Sequence, residues 1–125
     1  MPEIITTPNA LVQTTNGKRF YVYSGAVSVP NSETTMISID NIGERDIKIK
    51  LDVGNVTISG NDLTLKVKVN GIIIYQSESN NQYTNELTGY NAREFIIPAN
   101  TSFDVTLESE TSTYTFFVAG YGKYI

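Results

Sequence analysis

The chain has 125 residues, a net charge of −4, and neither cysteine nor histidine. This length fits one domain with a single core, and the missing residue types exclude disulfides, thiolate nucleophiles, histidine-dependent triads and the commonest metal ligands. The acidic balance has the wrong sign for a protein that holds a phosphate backbone, so we expect no nucleic-acid partner.

The composition favours strands over helices. Isoleucine, valine and threonine together supply 39 residues, whereas leucine supplies six, and β-branched side chains fit a pleated sheet better than a helix. No apolar run reaches the roughly 18 residues of a transmembrane helix. The N-terminus has no basic start followed by an apolar stretch, so we expect neither a membrane span nor a secretory signal.

Residues 1–19 open the chain with many threonine and asparagine residues and two prolines. Their apolar side chains are isolated and follow neither a strand nor a helix period. We predict an extended N-terminal arm here and a single domain over residues 20–125. The apolar groups of the arm that we expect to contact a partner are Ile4, Ile5, Leu11 and Val12.

Alternating apolar and polar residues follow the arm and predict strands with one buried face. Gly25 predicts a bulge or bend within the first of these runs. Asn70-Gly71 lies between two strand-like runs and predicts a type I′ hairpin, because both positions need a positive φ. Phe117 stands on the polar side of the last run, which indicates that something covers it. The predicted inward rows are Ile47, Ile49, Leu51 and Val53; Leu63, Leu65, Val67 and Val69; Phe103, Val105 and Leu107; and Tyr114, Phe116 and Val118.

One long polar connection interrupts this pattern at residues 77–94. Loops longer than about 12–15 residues in compact domains are usually functional or disordered. We therefore expect this connection, like the arm, to contact a partner. Its candidate contact residues are Tyr83, Leu87, Tyr90 and Arg93.

About eight short strands without a convincing helix must bury two apolar faces against each other or close into a barrel. Most connections are short and one is long, which disfavours an up-and-down barrel. The sequence therefore predicts an all-β fold, an antiparallel β-sandwich, with a jelly roll as the preferred topology.

Catalysis and metal binding find little support in the residue pattern. A glycosidase needs two carboxyl groups about 5–9.5 Å apart with one pKa raised in a cleft, whereas most acids here occupy outward strand positions or turns. Asp40-Asn41 and Asn61-Asp62 carry oxygen ligands, but their spacing does not match a calcium loop, and turns explain them. We predict no enzyme activity and no cofactor or metal.

Carbohydrate binding is a better-founded alternative, because flat aromatic faces and amides bind sugars. Tyr21 and Tyr23 project from the face opposite Phe20, and Tyr121 and Tyr124 lie near the C-terminus. These tyrosines would either form an exposed row or close the ends of the sandwich and line a subunit interface, where tyrosine is enriched.

Three segments resemble small jelly-roll virion proteins of tailed phages. They are YSGAVSVPNSETT at residues 23–35, FIIPANTSF at residues 95–103 and FFVAGYG at residues 116–122. The resemblance implies a capsid decoration or cement protein, which is an oligomer seated on the outside of a bacteriophage head that stabilises the shell. It transfers no individual functional residue.

We therefore expect a structural virion protein on the capsid exterior, made in the host cytoplasm. Its partners would be its own copies, with a homotrimer favoured, and the major capsid protein. The arm and the long connection would make these contacts, together with Phe117, since oligomers bury aromatic groups that a monomer would leave exposed. The alternative is a carbohydrate-binding module or a receptor-binding fibre tip that acts through exposed tyrosine and asparagine side chains.

Overall fold

The computed structural model describes residues 11–15, 19–55, 63–79, 93–109 and 114–125. These residues form strands and no helix, and hence no helix in them is long and apolar enough to cross a membrane. The ten strands are β1 (Leu11–Thr15), β2 (Arg19–Tyr23), β3 (Val27–Val29), β4 (Thr34–Ile39), β5 (Ile47–Asn55), β6 (Leu63–Val69), β7 (Ile72–Ser79), β8 (Arg93–Ile97), β9 (Phe103–Ser109) and β10 (Tyr114–Tyr124).

The strands form two antiparallel sheets. One has six strands in the order β1-β2-β10-β5-β8, with β3 also paired to β10, and the other has the order β4-β9-β6-β7. The inward faces of both sheets supply one buried cluster. The predicted all-β antiparallel sandwich is therefore confirmed.

The core follows the alternation seen in the sequence, because a sheet with one buried face repeats its side chains every two residues. The predicted inward rows of β5, β6 and β9 are buried, except that Val69 at the end of β6 is only partly buried. The largest buried side chains include Phe103, Phe116, Met36, Ile37, Ile39, Ile42, Ile47, Ile49, Leu63, Ile97 and Leu107.

Two predicted turns have the expected backbone. Asn70 and Gly71 have φ values of 52° and 79°, and Val69 pairs with Ile72 across them, so the type I′ hairpin is confirmed. Gly25 has a φ of 75° and lies between β2 and β3. It therefore lies at an interruption of the run for which the sequence predicted a bulge or bend.

Part of the segment predicted as the N-terminal arm forms a strand. Leu11–Thr15 forms β1 and pairs along the whole of β2, from Leu11 opposite Tyr23 to Thr15 opposite Arg19. β1 is the terminal strand of its sheet, and its pairing with β2 could not be read from its own sequence pattern. Ile4 and Ile5 lie outside the described residues.

The long polar connection is shorter than predicted. Ser77–Ser79 continues β7 and pairs with Leu63–Leu65, while Arg93 and Glu94 open β8 opposite Leu51 and Lys50. Pairing with an inner strand extends these polar ends, which composition alone assigned to a loop. Tyr83, Leu87 and Tyr90 lie outside the described residues.

A polar cluster ties three elements of the four-stranded sheet together on its outer face. Glu33, just before β4, receives a hydrogen bond from the hydroxyl of Thr106 in β9 at 2.7 Å. The same carboxylate oxygen lies 2.8 Å from Nζ of Lys68 in β6. The hydrogen bonds from Lys68 and then Thr106 hold the pKa of Glu33 below its usual value.

This cluster predicts a stability contribution that depends on pH. Because the folded-state pKa of Glu33 is lowered, its contribution is complete above the usual carboxyl pKa and is lost as pH falls through the lowered value. We expect Glu33→Gln to reduce the free energy of unfolding by about 0.5 kcal/mol at pH 7, because a partly exposed ion pair contributes little. The reduction should be smaller at pH 3. Urea unfolding at both pH values measures this. Glu78→Gln on exposed β7 is the control, and an equal loss at both pH values would contradict the ion pair as its source.

Candidate functional site

The outer face of the six-stranded sheet carries the tyrosines that the sequence singled out. Phe20 and Val22 of β2 are buried, so Tyr21 and Tyr23 point outward, as predicted. Tyr121 of β10 lies directly opposite Tyr21. Tyr21 and Tyr121 are 39% and 44% exposed, so both side chains reach the surface.

These outward rings continue along the sheet as an aromatic row. Tyr21 and Tyr23 are stacked with ring centroids 6.4 Å apart, and Tyr23 meets Phe117 edge to face at 6.0 Å. We call Tyr21, Tyr23, Phe117 and Tyr121 the aromatic row. The exposed-row interpretation of these tyrosines therefore has a geometric basis.

Phe117 is covered partly by its own chain. Its ring lies against Gly54 of β5, where an added Cβ would overlap the ring carbons. The side chain is half-buried on the outer face. The predicted cover for Phe117 is thus supplied in part by Gly54 and Tyr23.

Tyr124 does not belong to the aromatic row. Its side chain is buried at the end of the core, with its ring centroid 5.7 Å from that of Phe20. The Arg45 guanidinium lies 5.4 Å from the ring centroid. Burial raises the pKa of the Tyr124 hydroxyl, and the charge of Arg45 offsets part of this rise. Tyr124 therefore closes one end of the sandwich and does not form part of an exposed row.

At the Tyr121 end of the aromatic row lies a cavity of about 390 Å³ that is open to solvent and has a basic lining. Lys123 of β10 is opposite both Arg19 of β2 and Lys48 of β5, so three cations stand in one row across three adjacent strands. Like charges directly opposite each other destabilise a sheet. The cavity, which we call the basic cavity, is lined by Arg19, Lys48, Lys50, Glu94, Tyr121 and Lys123, with Phe20 and Gly122.

One carboxylate balances this charge in part. Glu94 of β8 lies opposite Lys50, and its Oε1 is 3.4 Å from Nζ of Lys48. Four cations and one carboxylate line the basic cavity. Their charges make the cavity a positively charged site in a chain whose net charge is −4.

A second exposed surface lies on the other sheet. Ile72, Ile73 and Ile74 of β7 are 68%, 46% and 46% exposed, and β7 is the last strand of its sheet. We call these three residues the isoleucine edge. Three consecutive exposed isoleucines break the alternation expected of a strand with one wet face.

The residues predicted from the sequence to contact partners do not gather at one place within the described ranges. Leu11 and Val12 lie in β1 opposite Tyr23 and Val22, and Arg93 begins β8. Phe117 lies on the outer face of β10, whereas Ile4, Ile5, Tyr83, Leu87 and Tyr90 lie outside the described residues.

Sequence reasoning missed both the isoleucine edge and the basic cavity. The signal for the edge was present, since three isoleucines follow the Asn70-Gly71 turn without a polar residue between them. The cations of the cavity come from strands that are distant in the chain, so only the strand order brings them together.

Asp40-Asn41, which the sequence analysis weighed as a calcium site, lies in a turn. Asn41, proposed as a turn residue, accepts a hydrogen bond at its Oδ1 from the backbone N–H of Gly43 at 2.8 Å, which is the turn geometry expected of asparagine. Among the described residues no group of three or more aspartate, glutamate, histidine or cysteine side chains could hold a metal ion.

Comparison with models of known protein families gave no match, and a search of curated proteins gave no significant match either. The class that the coordinates define is an antiparallel β-sandwich of two sheets.

Proposed function

We propose that this protein is a capsid decoration protein of a tailed phage, which binds the outer surface of the head and stabilises the shell without catalysis. It associates with its own copies, as a homotrimer, and with the major capsid protein. The exposed isoleucine edge carries this proposal. The further shell contacts in the proposal come from the arm and the long connection, and Phe117 is buried between copies. These shell contacts are Ile4, Ile5, Leu11, Val12, Tyr83, Leu87, Tyr90 and Arg93.

Strand pairing supports a jelly-roll topology for this protein. When β2 and β4 to β10 are taken as eight strands in chain order, the first pairs with the last, the second with the seventh, the third with the sixth and the fourth with the fifth. This arrangement follows when one long antiparallel ribbon is wrapped into two sheets. Jelly rolls of eight strands are common among viral capsid and lectin domains.

The isoleucine edge favours adhesion to another protein surface. Full burial of one isoleucine side chain stabilises a protein by about 1.5–3 kcal/mol. Within one chain Ile72, Ile73 and Ile74 stay exposed, so much of this stabilisation is available only on contact with another surface. Clustered exposed apolar side chains typically mark interaction sites. A symmetric oligomer would bury the same edge in every copy.

A β-bulge at this edge favours contact through side chains over extension of the sheet. Val67 pairs with Tyr75 and Lys68 with Ile73, so Ile74 is an extra residue in β7. Bulges increase the local twist and hinder edge-to-edge pairing. The edge therefore suits a closed assembly better than an endless chain of paired strands.

The test is the solution mass of the protein and of one edge variant. We expect light scattering at micromolar concentration to give three times 13.8 kDa for the natural chain and a monomer for Ile73→Asp. Ile125→Asp, also at an exposed isoleucine, is the matched control and should remain a trimer. A monomeric natural chain, or a trimer unaffected by Ile73→Asp, would contradict adhesion through this edge.

The aromatic row supports a second candidate, a carbohydrate-binding module or receptor-binding fibre tip. Tyr21 and Tyr121 are neighbours with exposed rings, and such rings stack on the apolar faces of sugars. This candidate uses the other sheet and does not need the isoleucine edge. A glycan array tests this candidate, because it requires a saccharide preference and adhesion through the isoleucine edge does not.

A further inference from the structure

We propose that the basic cavity binds an anionic saccharide, with the acidic group of the sugar held by the cations and a sugar ring stacked on Tyr121. This inference goes beyond adhesion through the isoleucine edge. It rests on the carbohydrate candidate and gives that candidate a location and a ligand class.

The charge arrangement is the first argument. Arg19, Lys123 and Lys48 stand side by side across three strands, although directly opposed like charges cost stability. The nearby carboxylate of Glu94 contacts Lys48 at 3.4 Å, and the lining keeps an excess of three positive charges. A bound carboxylate or sulfate would accept charge-assisted hydrogen bonds from these cations and relieve their repulsion.

The composition of the adjacent row is the second argument. Tyr21, Tyr121, Lys50 and Glu94 follow one another across β2, β10, β5 and β8. An exposed tyrosine ring offers an apolar platform, and an amine and a carboxylate offer a donor and an acceptor for sugar hydroxyls. The cavity volume of about 390 Å³ lies within the usual range of small-molecule sites.

The position of the other described cations argues against a long polyanion such as nucleic acid. Arg45 stacks on Tyr124, and Lys68 pairs with Glu33 on the other sheet. Lys66 lies near Lys68 in β6, and Arg93 begins β8. Four of the eight described cations therefore gather at the cavity, and the two of β6 belong to the opposite sheet. A net charge of −4 further repels a long polyanion.

Binding titrations with defined probes test the proposal. The probes are trigalacturonic acid, which carries carboxylates, a sulfated chondroitin disaccharide, neutral lactose, inorganic sulfate and a poly-glutamate peptide. We expect one of the acidic saccharides to bind at least about tenfold more tightly than lactose, sulfate or the peptide. The two acidic saccharides distinguish a carboxylate site from a sulfate site.

Variants place the ligand in the cavity. Lys48→Gln combined with Lys123→Gln should weaken acidic-saccharide binding by at least about tenfold, and Tyr121→Ala should weaken it by about tenfold. Lys66→Gln on the other sheet is the matched control and should leave the affinity unchanged. Thermal unfolding of each variant confirms that the sandwich is intact.

Four other outcomes would refute the anionic saccharide ligand, the carbohydrate candidate or both. Equal binding of lactose and acidic saccharides would keep the carbohydrate candidate and refute the anionic ligand. Inorganic sulfate that binds as tightly as the saccharides, with no effect of Tyr121→Ala, would refute saccharide recognition. Tighter binding of poly-glutamate would assign the cavity to an acidic protein segment. Binding of no saccharide would refute both the inference and the carbohydrate candidate.

Discussion

Gly122→Ala is expected to reduce the free energy of unfolding by about 3 kcal/mol, the upper end of the usual cost of overpacking. A Cβ at Gly122 would overlap the backbone carbonyl oxygen of Lys48 in the neighbouring strand. Backbone atoms cannot rotate away as side chains do, so β10 and β5 would have to separate. Thermal unfolding should show a decrease in Tm of roughly 10 °C.

The control for this prediction lies two residues earlier in the same strand. A Cβ at Gly120 would meet Ile49 Cδ1 and Leu51 Cδ2 at 3.0 Å, and both atoms are flexible ends of side chains. Gly120→Ala should therefore change the free energy of unfolding by less than about 1 kcal/mol. Equal stability of the Gly122→Ala and Gly120→Ala proteins would refute the close approach of β10 to Lys48.

Gly54→Ala is expected to cost about 2 kcal/mol and to displace the ring of Phe117. The added methyl group would occupy the space of the Phe117 ring carbons. The ring would then leave its place between Gly54 and Tyr23, and would expose apolar area on the outer face of the sheet. Urea unfolding measures the loss, and near-ultraviolet circular dichroism reports the changed environment of Tyr23.

A double-mutant cycle isolates this contact. Once Phe117→Ala has removed the ring, Gly54→Ala should cost less than about 0.5 kcal/mol, which gives a coupling of more than about 1 kcal/mol. If the cost of Gly54→Ala were the same with and without the ring, the half-buried position of Phe117 would not depend on the glycine.

The inward or outward orientation of residues within a strand was predictable, because burial of one face repeats every two residues. Ile49 and Leu51 in β5 and Val105 in β9 point inward as predicted, because one buried face requires an apolar residue at every second position. The Asn70-Gly71 turn was predictable for a different reason, since few residue pairs adopt two successive positive φ values.

Edge strands and surface clusters were not predictable in the same way. Leu11–Thr15 and Ser77–Ser79 contain few apolar residues, and their order comes from pairing with β2 and β6. The row of Arg19, Lys123 and Lys48 depends on the neighbours of β10, which no local pattern encodes. The basic cavity therefore emerged from topology, whereas the fold class emerged from alternation.

The two candidate surfaces belong to different sheets, so both can act in one molecule. The isoleucine edge lies on β7 of the four-stranded sheet, and the basic cavity lies on the outer face of the six-stranded sheet. A copy that adheres through β7 can leave its cavity accessible. Decoration of a shell and binding of a saccharide are thus compatible, and the experiments above separate them.

Electron microscopy of purified virions that contain the protein tests the central claim most directly. The account predicts a β-sandwich of this shape on the outer surface of the head, in groups of three, with Ile72, Ile73 and Ile74 buried against a neighbouring chain. A sandwich found at the tip of a tail fibre, or a head-bound copy with these three isoleucines facing solvent, would contradict it.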